Sequence, residues 1–333
     1  MKRVMAVLSV AGFLAVALFA TNTFAAADVA GVPEVSVDST TSEATPVVEE
    51  QETAGTGIEA TAAEYETVAG RWGATRIDAP SAWAVAGALS PTTVAILDTG
   101  IASDAPFAHR VVGAMDFTGE GMEDEHGHGT HMAGTVAAIA PNASLFNVKV
   151  ADSRGRCETA AVASGIRWAA NQGAHVINVS LEVAPSAELE KAVSYAWERG
   201  AIVIVAAGNS GSNSPAYPAA YVDALAVAGT NQSDGLAVLS NHGDWIDVAA
   251  PGYKIYAELP GGQFGYETGT SPAAAHVSGV AALLSGIATD VSGNGAVNDE
   301  IRTAIENSCE ALGASGTGNG LVNAFSAVQS LAV

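Results

Sequence analysis

The sequence predicts an α/β protein built on a doubly wound, mostly parallel sheet with helices on both faces, a three-layer α/β/α arrangement. Three observations carry this. The chain has 333 residues, 49% of them hydrophobic and 14% charged, which is enough for one large core. From residue 93 onward, short β-rich runs alternate with alanine-rich amphipathic segments, and such alternation implies parallel strands joined by right-handed crossovers and covered on both faces. No internal repeat points to a solenoid or propeller instead.

The strand series opens with TVAILD at 93–98, closed by the turn residues Thr99 and Gly100. It continues with VVGAMD at 111–116, SLFNVKV at 144–150, HVINVS at 175–180, AIVIVAAG at 201–208 and ALAVAGT at 224–230. Helical segments are expected between several of these, at about 128–138, 159–171 and 186–199. Two more follow at about 271–286 and 299–309, and a last short one starts from Leu321.

The first 70 residues differ from the rest. Met-Lys-Arg precedes an apolar run from Val4 to Ala20 and an Ala-x-Ala-like site, so residues 1–25 are expected to be a signal peptide, cleaved after about 25 or 27. An uncleaved anchor is the alternative. The net charge of −22 is concentrated next to it: residues 28–70 hold ten Asp or Glu and no Lys or Arg. Residues 26–70 are therefore expected to be a solvated, disordered linker or short pro-segment, leaving 71–333 as the folded domain. Such acidity argues against nucleic acid or anionic lipid as a partner. Cys157 and Cys309 are the only cysteines, which permits one bridge in an exported chain but does not show that they meet.

In doubly wound sheets reactive groups gather at the carboxyl ends of strands, near the switch point. Asp98 ends TVAILD, Asn209 follows AIVIVAAG, and His128 and Ser271 open helices. A serine hydroxyl needs a base and a group that holds that base in one tautomer. Ser271, His128 and Asp98 supply those types, while a helix N-terminus and Asn209 supply donors for an oxyanion. Each residue alone has a bland reading as a cap or turn former. The stretch EDEHGHGTHMAGT at 123–135 stays open on its own residues. His126, His128 and His131 with Asp124 and Glu125 could form a metal site, could hold a catalytic base, or could be satisfied by neighbouring backbone.

Four blocks resolve this. VAILDTGIA around Asp98, HGTHMAGTVAA around His128, AAGNSG around Asn209 and GTSPAAAHVSGVAALL around Ser271 resemble the signature blocks of the subtilisin-like serine proteases, in that family's order. RWGATRIDAPSAW and GNGLVNAFSAV extend the similarity to about 71–333. The resemblance implies an exported serine endopeptidase working through an acyl-enzyme. Ser271 would be the nucleophile, His128 the general base and acid, Asp98 its orienting partner and Asn209 an oxyanion donor. It makes His131 structural, sets the zinc reading aside, and leaves His126 unassigned. His276 reads as a packed or surface helix residue.

The resemblance also implies a substrate cleft. Ser180, Leu181 and Glu182 match one wall, 206–208 with Gly208 the other, and 152–157 with Gly155 an edge strand that pairs with the peptide backbone. Tyr217-Pro218 matches a cis proline. Several positions depart from the family. Glu182 and Cys157 stand where glycine is common, and Pro272 and Ala275 replace a frequent Met and a frequent Pro. An ionised Glu182 would favour a basic residue near the scissile bond, and Arg154 and Arg156 acidic residues farther upstream. No cofactor is expected: the connection AAIAPNASL at 137–145 is shorter than the family's calcium loop, and DVSGNGAVNDE at 290–300 reads as a turn because the twelfth position of an EF-hand rhythm is Ile301. Partners are expected to be polypeptide substrates, with no nucleic acid and no stable membrane association after signal cleavage, and the chain is expected to be a secreted monomer. The rivals are a catalytically inactive binding protein on the same fold and acyl transfer to amines.

Overall fold

A computed structural model of the chain describes residues 72–86 and 90–332, so the expectations for the leader and the acidic segment lie outside the described residues. Two short helices, α1 (Trp72–Arg76) and α2 (Ala79–Ala86), precede the first strand. The elements that follow are β1 (Thr93–Asp98), β2 (Val111–Asp116), α3 (His128–Ile139), β3 (Ser144–Lys149), α4 (Thr159–Asn171), β4 (Val176–Val179), α5 (Ala187–Glu198), β5 (Ile202–Ala206) and β6 (Ala224–Thr230). The chain then forms β7 (Val248–Pro251), β8 (Ile255–Leu259), β9 (Gln263–Glu267), α6 (Thr270–Ser285), α7 (Asn298–Asn307) and α8 (Ala324–Leu331).

Seven strands form one sheet in the order β2-β3-β1-β4-β5-β6-β7, and every neighbouring pair is parallel. The order explains where a site can form. From β1 the chain crosses to the edge strand β2, comes back to place β3 between them, and then adds β4 to β7 in turn on the other side of β1. Crossovers therefore leave in opposite directions on the two sides of β1, and a crevice opens at its carboxyl end, where Asp98 lies.

The sheet separates two apolar layers. Val94 and Ile96 of β1 face one with α2, α3, α6, α7 and α8, while Ala95 and Leu97 face the other with α4 and α5. Strands covered on both faces need no polar alternation, and β4, β5 and β6 are buried along their whole lengths. The edge strand β2 instead alternates half-buried with exposed positions. Helix α6 is buried from Thr270 to Leu284, which accounts for its almost unbroken apolar sequence.

The expected strands and helices form, with three additions and one correction. The additions are α1 with α2, the four-residue β7, and the antiparallel hairpin of β8 and β9, turned by Gly261 and Gly262 at φ 77° and 67°. The correction concerns the last helix. It begins at Ala324, because Leu321 is engaged in bridges to Ala249 and Glu310, and Asn323 caps the helix by accepting from Ser326 N–H. Both thiols are free: Cys157 lies against the α4–α5 layer and Cys309 against the α6–α7 layer, so the sheet stands between them. Burial pushes them up to about 11 and about 12. Among the described residues no helix is long and apolar enough to cross a membrane.

Helices α3 and α6 cross closely because Gly279 carries no side chain. A Cβ there would stand 2.5 Å from Cβ of Ile139. Gly279→Ala should thus lose stability through overpacking, by about 1–3 kcal/mol, despite alanine's better helix propensity. The expected readout is a melting temperature lower by several degrees. Trimming Ile139 to Ala in the same protein should recover part of the loss, and an unchanged or higher melting temperature for Gly279→Ala would refute the packing account.

Candidate active site

Asp98 is fully buried at the end of β1. Its Oδ1 accepts from Thr99 N–H at 2.8 Å and from His128 Nδ1–H at 2.7 Å. A carboxylate on Nδ1 fixes the ring's tautomer, so Nε2 is the acceptor in neutral His128. Where His128 stands is set by Asp124. That buried carboxylate accepts from Thr99 Oγ1, the N–H groups of His126 and Gly127, and both N–H and Oγ1 of Thr130. Burial alone would raise its pKa, but the hydrogen bonds win and hold it below the ordinary carboxylate range. Gly127 at φ 103° turns the chain into α3, and Gly129 lets the helix start against the end of β1, since a Cβ there would strike the Gly100 carbonyl.

The stretch at 123–135 is thus the hinge between strand and helix, and its histidines have separate surroundings. The exposed His126 stands edge-on to His128 with ring centroids 6.3 Å apart and covers Gly155. His131 is buried and donates through Nε2 to the Ile255 carbonyl at 3.1 Å. Burial holds its pKa down to about 3, so it is neutral, and the 3.6 Å approach of Glu267 Oε2 to its Nδ1 is not an ion pair. The same Glu267 oxygen is 4.0 Å from Nε2 of His128. His276, also buried, donates to the Pro272 carbonyl at 2.8 Å, and burial lowers it to about 4. It is packed, with Gly73 of α1 lying on its ring. Among the described residues no group of three His, Cys, Asp or Glu could hold a metal.

Ser271 sits in the first turn of α6, behind Gly269. Its Oγ donates to the Ser180 carbonyl at 3.3 Å, and Ser180 Oγ donates to the Ser271 carbonyl at 3.1 Å. The pair is backed by Asn178, which donates to Ser180 Oγ and accepts from Ser278 Oγ. Asn209 reaches the same helix start. Its Oδ1 accepts from Thr270 N–H at 2.8 Å and Thr270 Oγ1 at 3.0 Å, which assigns the amide and turns Nδ2 outward over Gly269. Thr270 Oγ1 also accepts from Gly208 N–H at 2.9 Å.

The segments that the resemblance assigns to a cleft lie side by side. Ser180, Leu181 and Glu182 leave β4 toward α6, and Ala207 and Gly208 leave β5 beside them. The Glu182 carboxylate lies over Gly208, and burial raises its pKa. The expected edge strand at 152–157 needs correcting. It is a tight turn closed by Asp152 N–H to Arg156 O and Gly155 N–H to Asp152 O, flanked by a single bridge between Ala151 and Cys157. Gly155 forms the turn at φ 73°. Arg156 is taken up by Asp152, which its hydrogen bonds hold at about 2, so Arg156 is not free to attract an acidic substrate residue. The Tyr217-Pro218 bond is cis.

Only 140–143 joins α3 to β3, in a turn closed by Ala143 N–H to Ala140 O, and it brings no carboxylate. At 290–300 the Asp290 carboxylate accepts from N–H of Gly293, Asn294 and Gly295, while Glu300 accepts from those of Val291 and Ser292.

Four residues central to this geometry were not singled out for these roles by the sequence. Asp124 offered one signal, a carboxylate just ahead of a helix start. Thr99, Thr270 and Glu267 act through partners distant in the chain and offered none.

A family model described as the Subtilase family matches residues 90–326. The chain is 42% identical over 275 residues to thermitase of Thermoactinomyces vulgaris, covering 78% of this chain and 96% of that protein. It is 40% identical over 270 residues to subtilisin Savinase of Lederbergia lenta, covering 78% and 98% respectively. To the thermophilic serine proteinase of Bacillus sp. (strain AK1) it is 38% identical over 265 residues, covering 74% and 64%.

The two buried neutral histidines make the fold sensitive to acid. His131 and His276, near 3 and 4 when folded, return to the ordinary histidine value on unfolding. The unfolded chain then binds more protons, so stability is complete above about pH 6.5 and is lost as pH falls toward the folded values, at about 1.4 kcal/mol per pH unit for each histidine. Urea unfolding of the Ser271→Ala protein should show this fall between pH 6.5 and roughly pH 4.5. His276→Gln should remove about half of the slope. A slope indifferent to that substitution would contradict the assignment.

Proposed function

The chain belongs to the subtilase family and is a serine endopeptidase, and from the arrangement of its own residues we propose that Ser271 is the nucleophile, His128 the general base and acid, Asp98 the group orienting His128, and Asn209 the side-chain donor to the oxyanion. The observation that carries this reading is the 2.7 Å bond from His128 Nδ1 to the buried Asp98, which leaves Nε2 as the ring's proton acceptor. Ser271 Oγ attacks the carbonyl carbon of a bound peptide and passes its proton to Nε2. Negative charge grows on the carbonyl oxygen, where Asn209 Nδ2–H and the N–H groups at the start of α6 can receive it. The C–N bond breaks as Nε2 returns the proton to the departing amine. Water, deprotonated by the same nitrogen, then hydrolyses the acyl-enzyme and frees Ser271.

Helix α6 is what makes this placement stable. Its fifteen buried residues from Thr270 to Leu284 hold Ser271 at a fixed height above the sheet, and the bonds from Asn209 to Thr270 tie the oxyanion donor to the same turn. Polypeptides are the substrates. Gly155, Ser180, Leu181, Glu182 and Gly208 are proposed to line the cleft that receives them. The basic start and apolar run of the leader support secretion as the destination, and the chain is proposed to act as a monomer.

Ser271→Ala should abolish both peptide hydrolysis and labelling by a fluorophosphonate probe while the circular dichroism spectrum stays that of the parent. Asn209→Ala should lower kcat by about 100- to 1000-fold, the loss known for a subtilisin's own oxyanion-hole asparagine and so borrowed from this family. Turnover by Ser271→Ala above background would remove the assignment.

The protein is further proposed to work without a calcium ion held between α3 and β3, because the turn at 140–143 brings no carboxylate. Excess EDTA should leave activity and melting temperature nearly unchanged. A fall of more than about 10 °C would reveal a cation site that contributes substantially to stability.

A further inference from the structure

Glu182 is unlike the other carboxylates around the cleft. Asp98 accepts from Thr99 and His128 through Oδ1, Asp124 is enclosed by hydrogen bonds on both oxygens, and Asp152 is paired with Arg156. Glu182 lies two residues after Ser180, whose carbonyl accepts from the nucleophile's hydroxyl, and it is exposed. Its Oε2 lies 2.6 Å from where a Cβ on Gly208 would stand. The carboxylate thus uses space that exists because residue 208 is glycine, held at φ 95° by the turn into Asn209. Among the described residues no cation pairs with it and no donor bonds to it. The neighbouring Asn241 is engaged elsewhere, its Oδ1 with Ser210 and Ser212 and its Nδ2 with the Ala207 carbonyl. An exposed carboxylate without a partner is open to a cation arriving with the substrate, and a substrate that covers the pair strengthens their attraction.

The geometry also says which substrate residue would meet it. The proton donor to the departing amine is His128, so the leaving half of the substrate lies on the His128 side. The half that supplies the attacked carbonyl lies on the other side of Ser271, along the walls 180–182 and 206–208 that flank the oxyanion donor Asn209. Glu182 is on that acyl side. Glu267, 4.0 Å from His128 Nε2, is on the leaving side.

We infer that Glu182 sets the primary specificity of the cleft, so that the protein cleaves after lysine or arginine, whose cationic end enters beside Gly208 and pairs with the Glu182 carboxylate. The inference rests on Ser271 and His128 holding the roles proposed above. An aliphatic stem suits the space between Leu181 and Gly208, and the charged head reaches the carboxylate. The expected gain is roughly 10- to 100-fold in kcat/KM, between the small yield of an exposed ion pair and the large one of a buried pair.

The test compares peptides identical except at the residue before the scissile bond. In the unaltered protein lysine should exceed its neutral counterpart norleucine, and arginine its neutral counterpart citrulline, by that factor. In E182Q and E182G both ratios should fall toward one, with fluorophosphonate labelling of Ser271 counting the active fraction of each preparation. Equal rates for lysine and norleucine in the unaltered protein would overturn the inference without any variant. So would a ratio that survives E182Q, or a preference for basic residues only after the scissile bond, which would point to Glu267. Absence of labelling at Ser271 in the unaltered protein would instead strike at the proposed nucleophile.

Discussion

The hydrogen bonds converging on Asp124 join three pieces of chain: the end of β1 through Thr99, the glycine-rich loop through His126 and Gly127, and the first turn of α3 through Thr130. Without that knot the 2.7 Å bond between His128 and Asp98 would depend on a loop free to move against the strand. An isolated buried carboxylate would shed its charge. This one keeps it because the donors surround both oxygens, and the same donors are the backbone and side chains whose positions matter. The sheet supplies the place, at the carboxyl end of the strand where its growth reverses, and Asp124 supplies the register.

Buried polar side chains are handled in two ways: Lys149 Nζ donates to the carbonyls of Thr99 and Glu123, while burial keeps His131 and His276 neutral. The net charge of −22 is mostly carried elsewhere. Asp290 and Glu300, with their row of backbone N–H donors, show how an acidic protein satisfies carboxylates without cations. Glu182, exposed and beside Gly208, has neither a donor nor a cation among the described residues.

Much of this was legible in the sequence because the main elements are locally encoded. TVAILD, AIVIVAAG and ALAVAGT are apolar runs of strand length, and α4 and α5 have clear polar and apolar faces, so both appear within a residue or two of the expected bounds. The parts not foreseen are defined by distant partners. Helix α1 is five residues long and is anchored by Trp72 Nε1 on the carbonyls of Tyr253 and Lys254. Strand β7 is four residues ending in Pro251, and β9 mixes exposed and half-buried positions, so neither carries a usable period. The site divides the same way. Asp98, His128, Asn209 and Ser271 each stand at the end or start of a locally encoded element, whereas Thr99, Thr270 and Glu267 acquire their roles only when strands far apart in the chain become neighbours.

The first and last described helices brace one another. Helix α2 packs on α8, the Ile77 carbonyl accepts from Ala324 N–H at 2.7 Å, and Arg76 is paired with both Asp234 and Glu310. A cut that removes α1 and α2 would therefore expose the flank of α8, and loss of α8 would uncover α2 in turn. The two ends of the described chain behave as a single clasp on the layer that also holds α3 and α6. Such closure makes the described domain a natural subject for circular permutation, in which a linker joins α1 to α8 at the clasp and new termini open in an exposed surface turn such as the bend at 291–295.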